Sequence, residues 1–405
     1  MHARTFLALW AIVAFVLFRA IAFIADRQRR AKKFRELGCK PAPLANPRDP
    51  LGISALRQLI EADNAHRVPD LIVERTEKVS EREGRLVTTM RNVVLGEETI
   101  FTCEPRNIQA ILAALPGHTS NDALPADCDE RVFAYAFDKA QWYLSRAGRL
   151  GKRYWLGHTP GFKKQCDAVH AFVDHFVQMA LQQPTDADAD DKQHPQEERY
   201  VFLRALASHT SDPAELRSQL LNILLAGRDT TASLLSWLLL LLARHPHTYT
   251  TLRAAVLAAF GPSPATITYA GLKACAPLQH ALAETLRLCP VVPLNSRRAA
   301  EVEYSVHAMQ RRADLWGPDA DAFRPERWEG RKGVAGWEYL PFNGGPRICI
   351  GQQFALTEAG YVVARLLQRF DRVEACGGDG PLKHGLTLTD CPAEGVRVRL
   401  REARE

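Results

Sequence analysis

Between Pro341 and Gly351 the chain reads P-F-N-G-G-P-R-I-C-I-G and runs directly into a helical pattern over residues 352–370. A cysteine held between two glycine-containing turns, just ahead of a helix, is a demanding arrangement. Gly344 and Gly345 permit a tight backbone bulge, and Gly351 lets the main chain come close to a flat macrocycle. Cys349 faces the start of the following helix, where unpaired backbone N–H groups favour a thiolate. That is what a thiolate ligand to iron needs. The plain alternative is an ordinary buried cysteine in a glycine-rich loop. Against it stands the joint pattern F-x-x-G-x-R-x-C-x-G, carried by Phe342, Gly345, Arg347, Cys349 and Gly351. Each fixed position matches by chance about once in ten to fifty at average residue usage, so all five together are rarely an accident.

The 405 residues suffice for one large catalytic domain or two small ones. Nine cysteines form no C-x-x-C pair and no regular framework, which points to reduced thiols facing the cytosol. The formal charge is +6. Arg27, Arg29, Arg30, Lys32, Lys33 and Arg35 lie together without an acid among them, and the rest of the chain is nearly balanced. This gives little support to a nucleic-acid partner and fits a basic cluster beside a membrane better.

Residues 6–24 are apolar apart from Arg19, about the length of a bilayer crossing. The run before Arg19 alone is short, which makes a signal peptide the alternative, but no A-x-A cleavage site follows, only Asp26 and the basic run, so a retained single-pass anchor with the bulk of the chain in the cytoplasm is expected. Four prolines in residues 40–50 make a stiff connector. The chain thus divides into an anchor with its basic segment, 1–37, and a catalytic domain, 38–405. Helical spacing covers 51–79 with interruptions, 131–150, 161–181, 246–260 and 277–288, and a short helix starts at Pro105 and covers 104–115. Short strands are expected at 85–90, 92–95 and 99–103, and a strand pair within 386–400. Turn-rich residues 116–129 and acidic residues 186–198 read as loops. The longest helix begins at Asp212, with Pro213 at its first position and Glu215 placed for a capping box, and ends near Arg244. Residues 234–242 are apolar all round. Arg228 and Asp229 in the same helix are costly at bilayer depth, so it belongs in the centre of a large helical protein. The expected fold is mainly α with small β-sheets.

Two further segments carry chemistry. Ala226-Gly227-Arg228-Asp229-Thr230-Thr231 places glycine in mid-helix, at about 1 kcal/mol relative to alanine. Glycine followed by an acid and a hydroxyl invites a locally opened helix with a polar pocket; a tolerated glycine in a buried helix is the alternative. Glu284 and Arg287, in E-T-L-R, share one helix face. Such pairs are usually surface ion pairs of little worth. Here Pro290, Pro293 and Arg297 follow, and F-R-P-E-R-W over 323–328 precedes the cysteine loop.

Taken together, these motifs resemble the cytochrome P-450 (heme-thiolate monooxygenase) family. The runs 221–237, 284–298, 303–329 and 342–370 resemble its fungal microsomal branch that hydroxylates n-alkanes and the terminal carbon of fatty acids. The resemblance implies heme b with Cys349 as the axial metal ligand, and Phe342 and Gly351 in the ligand loop. It implies Arg347 on a heme propionate, with Arg297 as a second candidate. It assigns Thr230 to bound O2 and Asp229 to proton supply. Glu284, Arg287 and Arg327 become a buried charge network holding the cysteine loop. The implied reaction inserts one oxygen atom of O2 into a C–H bond of a hydrophobic substrate. Electrons come from NADPH through a cytochrome P-450 reductase at the endoplasmic reticulum membrane. The same chemistry on a secondary metabolite or xenobiotic is the neighbouring reading, and a non-catalytic remnant the distant one. The family pattern is longer at two places, after Leu115 and around residues 298–301. Trp142 and Arg146 have the spacing of a family W-x-x-x-R pair that reaches heme, but their position near the oxygen-binding helix makes the match a coincidence.

Overall fold

The computed structural model describes residues 42–49, 52–94, 97–105, 130–182, 202–207, 209–297, 302–330, 336–377 and 380–403, together with Gln28. The expected anchor, its basic run, the boundary at 37/38, the loops at 116–129 and 186–198, and nearly all of the helix at 104–115 lie outside the described residues. So do the two places where the family pattern is longer.

Helices dominate the described residues. α1 (Ile53–Asn64) and α2 (Val68–Glu83) divide the interrupted stretch expected over 51–79, and α2 runs four residues past it. The break between them carries His66, whose φ is 57°, and Pro69 opens the first turn of α2. α3 (Glu130–Arg149) and α4 (Pro160–Gln182) pack side by side. A stacked pair, Phe133 on Phe172, joins them with centroids 4.1 Å apart. The short α5 (Phe202–Ala207) leads to α6 (Pro213–Arg244), the central helix.

Asp212 caps α6 as the sequence suggests, accepting the Ala214 N–H at 2.9 Å. The expected capping box does not form. Glu215 accepts instead from the Thr210 hydroxyl at 2.9 Å, and the Asp212 N–H donates to that same Thr210 oxygen at 3.3 Å. Thr210 occupies the place that the glutamate would otherwise fill. Among the described residues α6 is the one helix long and apolar enough to cross a membrane. Its C-terminal half lies in the main core instead: Leu234, Trp237, Leu238, Leu241 and Leu242 are buried there. α7 (Pro246–Phe260), α9 (Ala276–Leu288) and α12 (Gln352–Arg369) pack around it, with the six-residue α8 (Tyr269–Ala274) between α7 and α9 in the chain.

The sheets are small. β1 (Thr89–Val94) and β2 (Glu97–Thr102) form an antiparallel hairpin, with Thr89 opposite Thr102. Three runs were expected here; residues 85–88 are not strand, and β1 spans the expected break at Arg91. β2 pairs parallel with β4 (Val302–Ser305), and β4 antiparallel with β3 (Leu294–Arg297), giving the order β1-β2-β4-β3. Arg297 stands opposite Val302 in that register. The pair expected within residues 386–400 does not form there: the strands on either side of Gly395 do not pair with each other. β7 (Asp390–Pro392) pairs with β6 (His384–Leu386), and β8 (Val398–Glu402) with β5 (Phe370–Ala375). The carbonyl of Asp390 accepts from both Ser233 and the Trp237 indole of α6, which fixes the β6–β7 ribbon against the central helix. Two single turns complete the scaffold, α10 (Val306–Met309) and α11 (Ala313–Trp316).

Candidate active site

Glu284 and Arg287 are fully buried on α9, and the Arg327 side chain is nearly so. The Glu284 carboxylate accepts five N–H groups. Arg287 supplies two, at 2.9 Å each. Arg327 Nε (3.2 Å), the Arg324 backbone N–H (3.1 Å) and the Trp328 indole (3.0 Å) supply the others. Arg287 directs its remaining N–H groups to the carbonyls of Gln310 (2.8 Å), Ala320 (2.7 Å) and Ala322 (3.2 Å). All five of its donors are thereby used. Two charges taken out of water hold only when lone pairs and protons are matched in this way. Arg327 also donates to Asp319 at 2.9 Å, and that hydrogen bond holds the Asp319 carboxyl below the usual carboxylate range.

The network extends to the cysteine loop through residues the sequence did not single out. Gln310 is buried; its amide nitrogen donates to the carbonyls of Leu286 and Arg287 at 3.0 Å each, and its oxygen accepts the Leu340 N–H at 2.9 Å. The Tyr339 hydroxyl donates to the Ala283 carbonyl at 3.1 Å, and burial pushes that phenol well above its ordinary pKa. The Tyr304 hydroxyl donates to Asn343 at 2.7 Å, where the backbone turns through a φ of 61°. Gln310 gave no signal, because a lone glutamine between helices reads as solvated. Asp319 stands eight residues before Arg327 in the G-P-D-A-D run, a spacing that could have marked it.

The loop itself turns at Gly345, with a φ of 65°, and the Cys349 N–H closes back on the Phe342 carbonyl at 2.9 Å. Gly344 is extended, so conformation does not demand glycine there. Space does: a Cβ would stand 2.9 Å from Trp337 Cζ3 and 3.3 Å from Leu340 Cδ2. Gly344→Ala is expected to destabilise the fold by about 1–3 kcal/mol, because the indole and the loop must separate. A thermal or urea unfolding curve measures this, and an unchanged midpoint would show that Trp337 moves freely.

Cys349 is exposed, immediately ahead of α12. Around it the apolar side chains Ile348, Ile350 and Phe354 are 52%, 60% and 64% exposed. An accessible thiol ringed by uncovered apolar side chains, with the exposed Arg347 two residues before it, fits one face of a flat apolar macrocycle carrying carboxylates. On α6, Ala226 and Gly227 are exposed, and a Cβ on Gly227 would meet nothing within 4 Å. The Thr230 hydroxyl donates to the Ala226 carbonyl at 2.6 Å, bonding back within its own helix. Asp229, about 100° further round the helix, accepts from Gln141 of α3 at 2.6 Å, and Arg228 stands 3.4 Å away. Thr230 and Asp229 therefore face different surroundings. Trp142 and Arg146 stack on each other, the guanidinium 4.7 Å above the indole. Arg297 ends β3.

Residues 135–386 match the family model described as cytochrome P450. That range covers the central helix, the buried network and the cysteine loop. The chain belongs to the cytochrome P-450 family. It is similar to the cytochrome P-450 monooxygenase g430 of a Fusarium species, 37% identical over 96% of this chain and 90% of the relative. It is also similar to the monooxygenase alt2 of Alternaria solani, 32% identical over 98% of this chain and 99% of the relative. Cytochrome P-450 52E1 of Candida apicola is 44% identical over 66% of this chain and 56% of its own length. The Fusarium alignment runs over 519 positions against a chain of 405 residues, so over a hundred of its positions have no counterpart here. This P-450 is thus a monooxygenase by family. The family implies a heme iron with a thiolate ligand, O2, a hydrophobic substrate and a reductase as redox partner.

Proposed function

We propose that this P-450 hydroxylates the terminal carbon of an n-alkane or fatty acid. Electrons arrive from NADPH through a flavoprotein reductase, and residues 1–37 anchor the domain to the endoplasmic reticulum membrane with residues 38–405 in the cytoplasm. The observation that carries the reading is the exposed Cys349 on a loop whose base is tied to the Glu284 network. Bound heme supplies O–O cleavage and transfer of one oxygen atom, which a thiolate ligand favours. Cys349 Sγ would hold the iron and Arg347 would offer its guanidinium to a propionate, with Arg297 as the second candidate. Phe342 and Gly351 bracket the ligand loop at its two ends. The open face of α6 at Ala226 and Gly227 leaves room for the substrate side. There Thr230 Oγ1 can exchange its bond to the Ala226 carbonyl for one to O2. Asp229, beside Gln141 and Arg228, holds the proton reserve. The substrate class rests on the resemblance of the runs around Thr230 and Cys349 to the alkane-hydroxylating branch.

A second reading, a remnant that binds heme weakly or not at all, is favoured by one fact: the positions of the Fusarium relative that have no counterpart here. One spectrum separates the two. Reduced, CO-bound protein in membranes should give the thiolate-type Soret band; its absence from intact protein would overturn the enzyme reading. Given that band, Thr230→Ala should keep it while product formed per NADPH consumed falls by about 10²-fold, the lower range for a lost proton donor. Coupled turnover like that of the parent would remove Thr230 from the proton path.

A further inference from the structure

Away from the cysteine loop, three chain segments distant in sequence bring Asp70, His307 and His384 together. Asp70 lies in the first turn of α2, His307 in α10 and His384 at the start of β6. One ligand atom from each falls within 4.8 Å of the other two. Both imidazoles are essentially inaccessible to solvent, and neither ring nitrogen of His307 has a hydrogen-bond partner. An imidazole buried with both nitrogens unbonded is costly unless something else meets them. His384 is oriented differently: its Nδ1 is 2.7 Å from Asp390 Oδ2, which leaves Nε2 for another partner. A carboxylate fixing one nitrogen of a histidine, with the other left for an ion, is the usual support of a metal-ligating imidazole. The two rings meet edge to face at 5.3 Å.

We propose that Asp70, His307 and His384 bind a divalent transition-metal ion, zinc in the first instance, separate from the heme iron. Two imidazoles and one carboxylate form a common borderline-soft donor set for zinc, with a water completing the tetrahedron. Donors about 2.0–2.2 Å from a tetrahedral ion stand about 3.3–3.5 Å apart. His307 Nε2 and Asp70 Oδ1 already stand 3.5 Å apart. The supporting backbone is tied down on all sides. The His384 N–H donates to the His66 carbonyl at 2.7 Å, the Asp390 N–H to Val291 at 2.8 Å, and the His307 N–H to Pro293 at 3.3 Å. Asp70 is partly exposed and gives the ion a way in. Arg311 is the cation whose field reaches Asp70 and His307. It is engaged elsewhere, with Asp321 at 2.6 Å and the Leu288 carbonyl at 3.0 Å. Its charge weakens the site without closing it. The ion would join the first helices of the domain to the ribbon that carries Asp390, so its role is structural.

The test uses tag-free, full-length protein in detergent, equilibrated with micromolar free zinc, washed, and assayed for zinc and iron by mass spectrometry. One zinc per chain is expected, independent of heme iron content. His307→Phe should lose it, Asp70→Asn should weaken zinc binding at least ten-fold, and Asp390→Asn by about 10–100-fold. Zinc should raise the melting temperature of the parent, a chelator should reverse this, and neither should move that of Asp70→Asn. Should His307→Phe fail to fold, Asp70→Asn decides the matter, since its side chain is at the accessible edge. Parent protein that retains no zinc overturns the proposal, and so does an Asp70→Asn variant that holds zinc as tightly as the parent.

Discussion

Glu284→Ala is expected to lower the stability of the domain by about 3–5 kcal/mol, enough to unfold much of it. The carboxylate accepts five N–H groups, three from arginine side chains and one each from Trp328 and the Arg324 backbone. Truncation leaves Arg287 buried with no counter-ion, which costs more than the pair contributes when whole. Arg327 retains Asp319 and suffers less. Glu284→Gln keeps the volume but removes the charge and turns one acceptor into a donor facing guanidinium groups, so it too should destabilise. Urea unfolding of the three proteins measures the differences. A change below about 1 kcal/mol in the alanine variant would mean that the network relaxes as a surface pair does.

Cys349→Ala should act in the opposite manner. The side chain is exposed, and nothing in the fold depends on its volume, so the unfolding free energy of the heme-free protein should move by no more than about 0.5 kcal/mol. The thiolate-type Soret band should vanish completely, because alanine offers no ligand atom. Measuring both quantities on one preparation distinguishes loss of the ligand from loss of the loop. If the band survives, another residue holds the iron, and the assignment of Cys349 fails. If stability falls with it, the sulfur is a packing element, contrary to its exposure.

The long helices were legible because a wide apolar stripe at helical spacing survives in sequence, as over α4, α6 and α12. The strands were legible only in part: β2 lies within two residues of the run expected at 99–103. In β1 only Met90 is buried, so there was no alternation to follow across Arg91 and Asn92. At the C-terminal end β8 pairs with β5, far back in the chain, and local pattern does not reveal pairing at a distance. α8 is six residues long, started by the Thr268 hydroxyl accepting the Gly271 N–H at 3.1 Å, too short for periodicity to mark. At the site, Glu284, Arg287, Arg327 and Cys349 were visible as motif letters. What holds Arg287 in place is largely main-chain carbonyl oxygen, at Gln310, Ala320 and Ala322. Every residue carries that group, so no letter announces it. Gln310 and Tyr304 were hidden for a related reason: their polar ends matter only once two distant segments have met.

Gln310 also determines how the molecule breathes. One side chain grips the last carbonyls of α9 and the amide of Leu340. In a hydrogen–deuterium exchange experiment, the Leu340 amide should therefore be released only with α9 itself, as part of one cooperative unit. Ile348 and Ile350, further along and exposed, lie outside that grip. The tip of the cysteine loop can open and close locally while its root keeps time with α9.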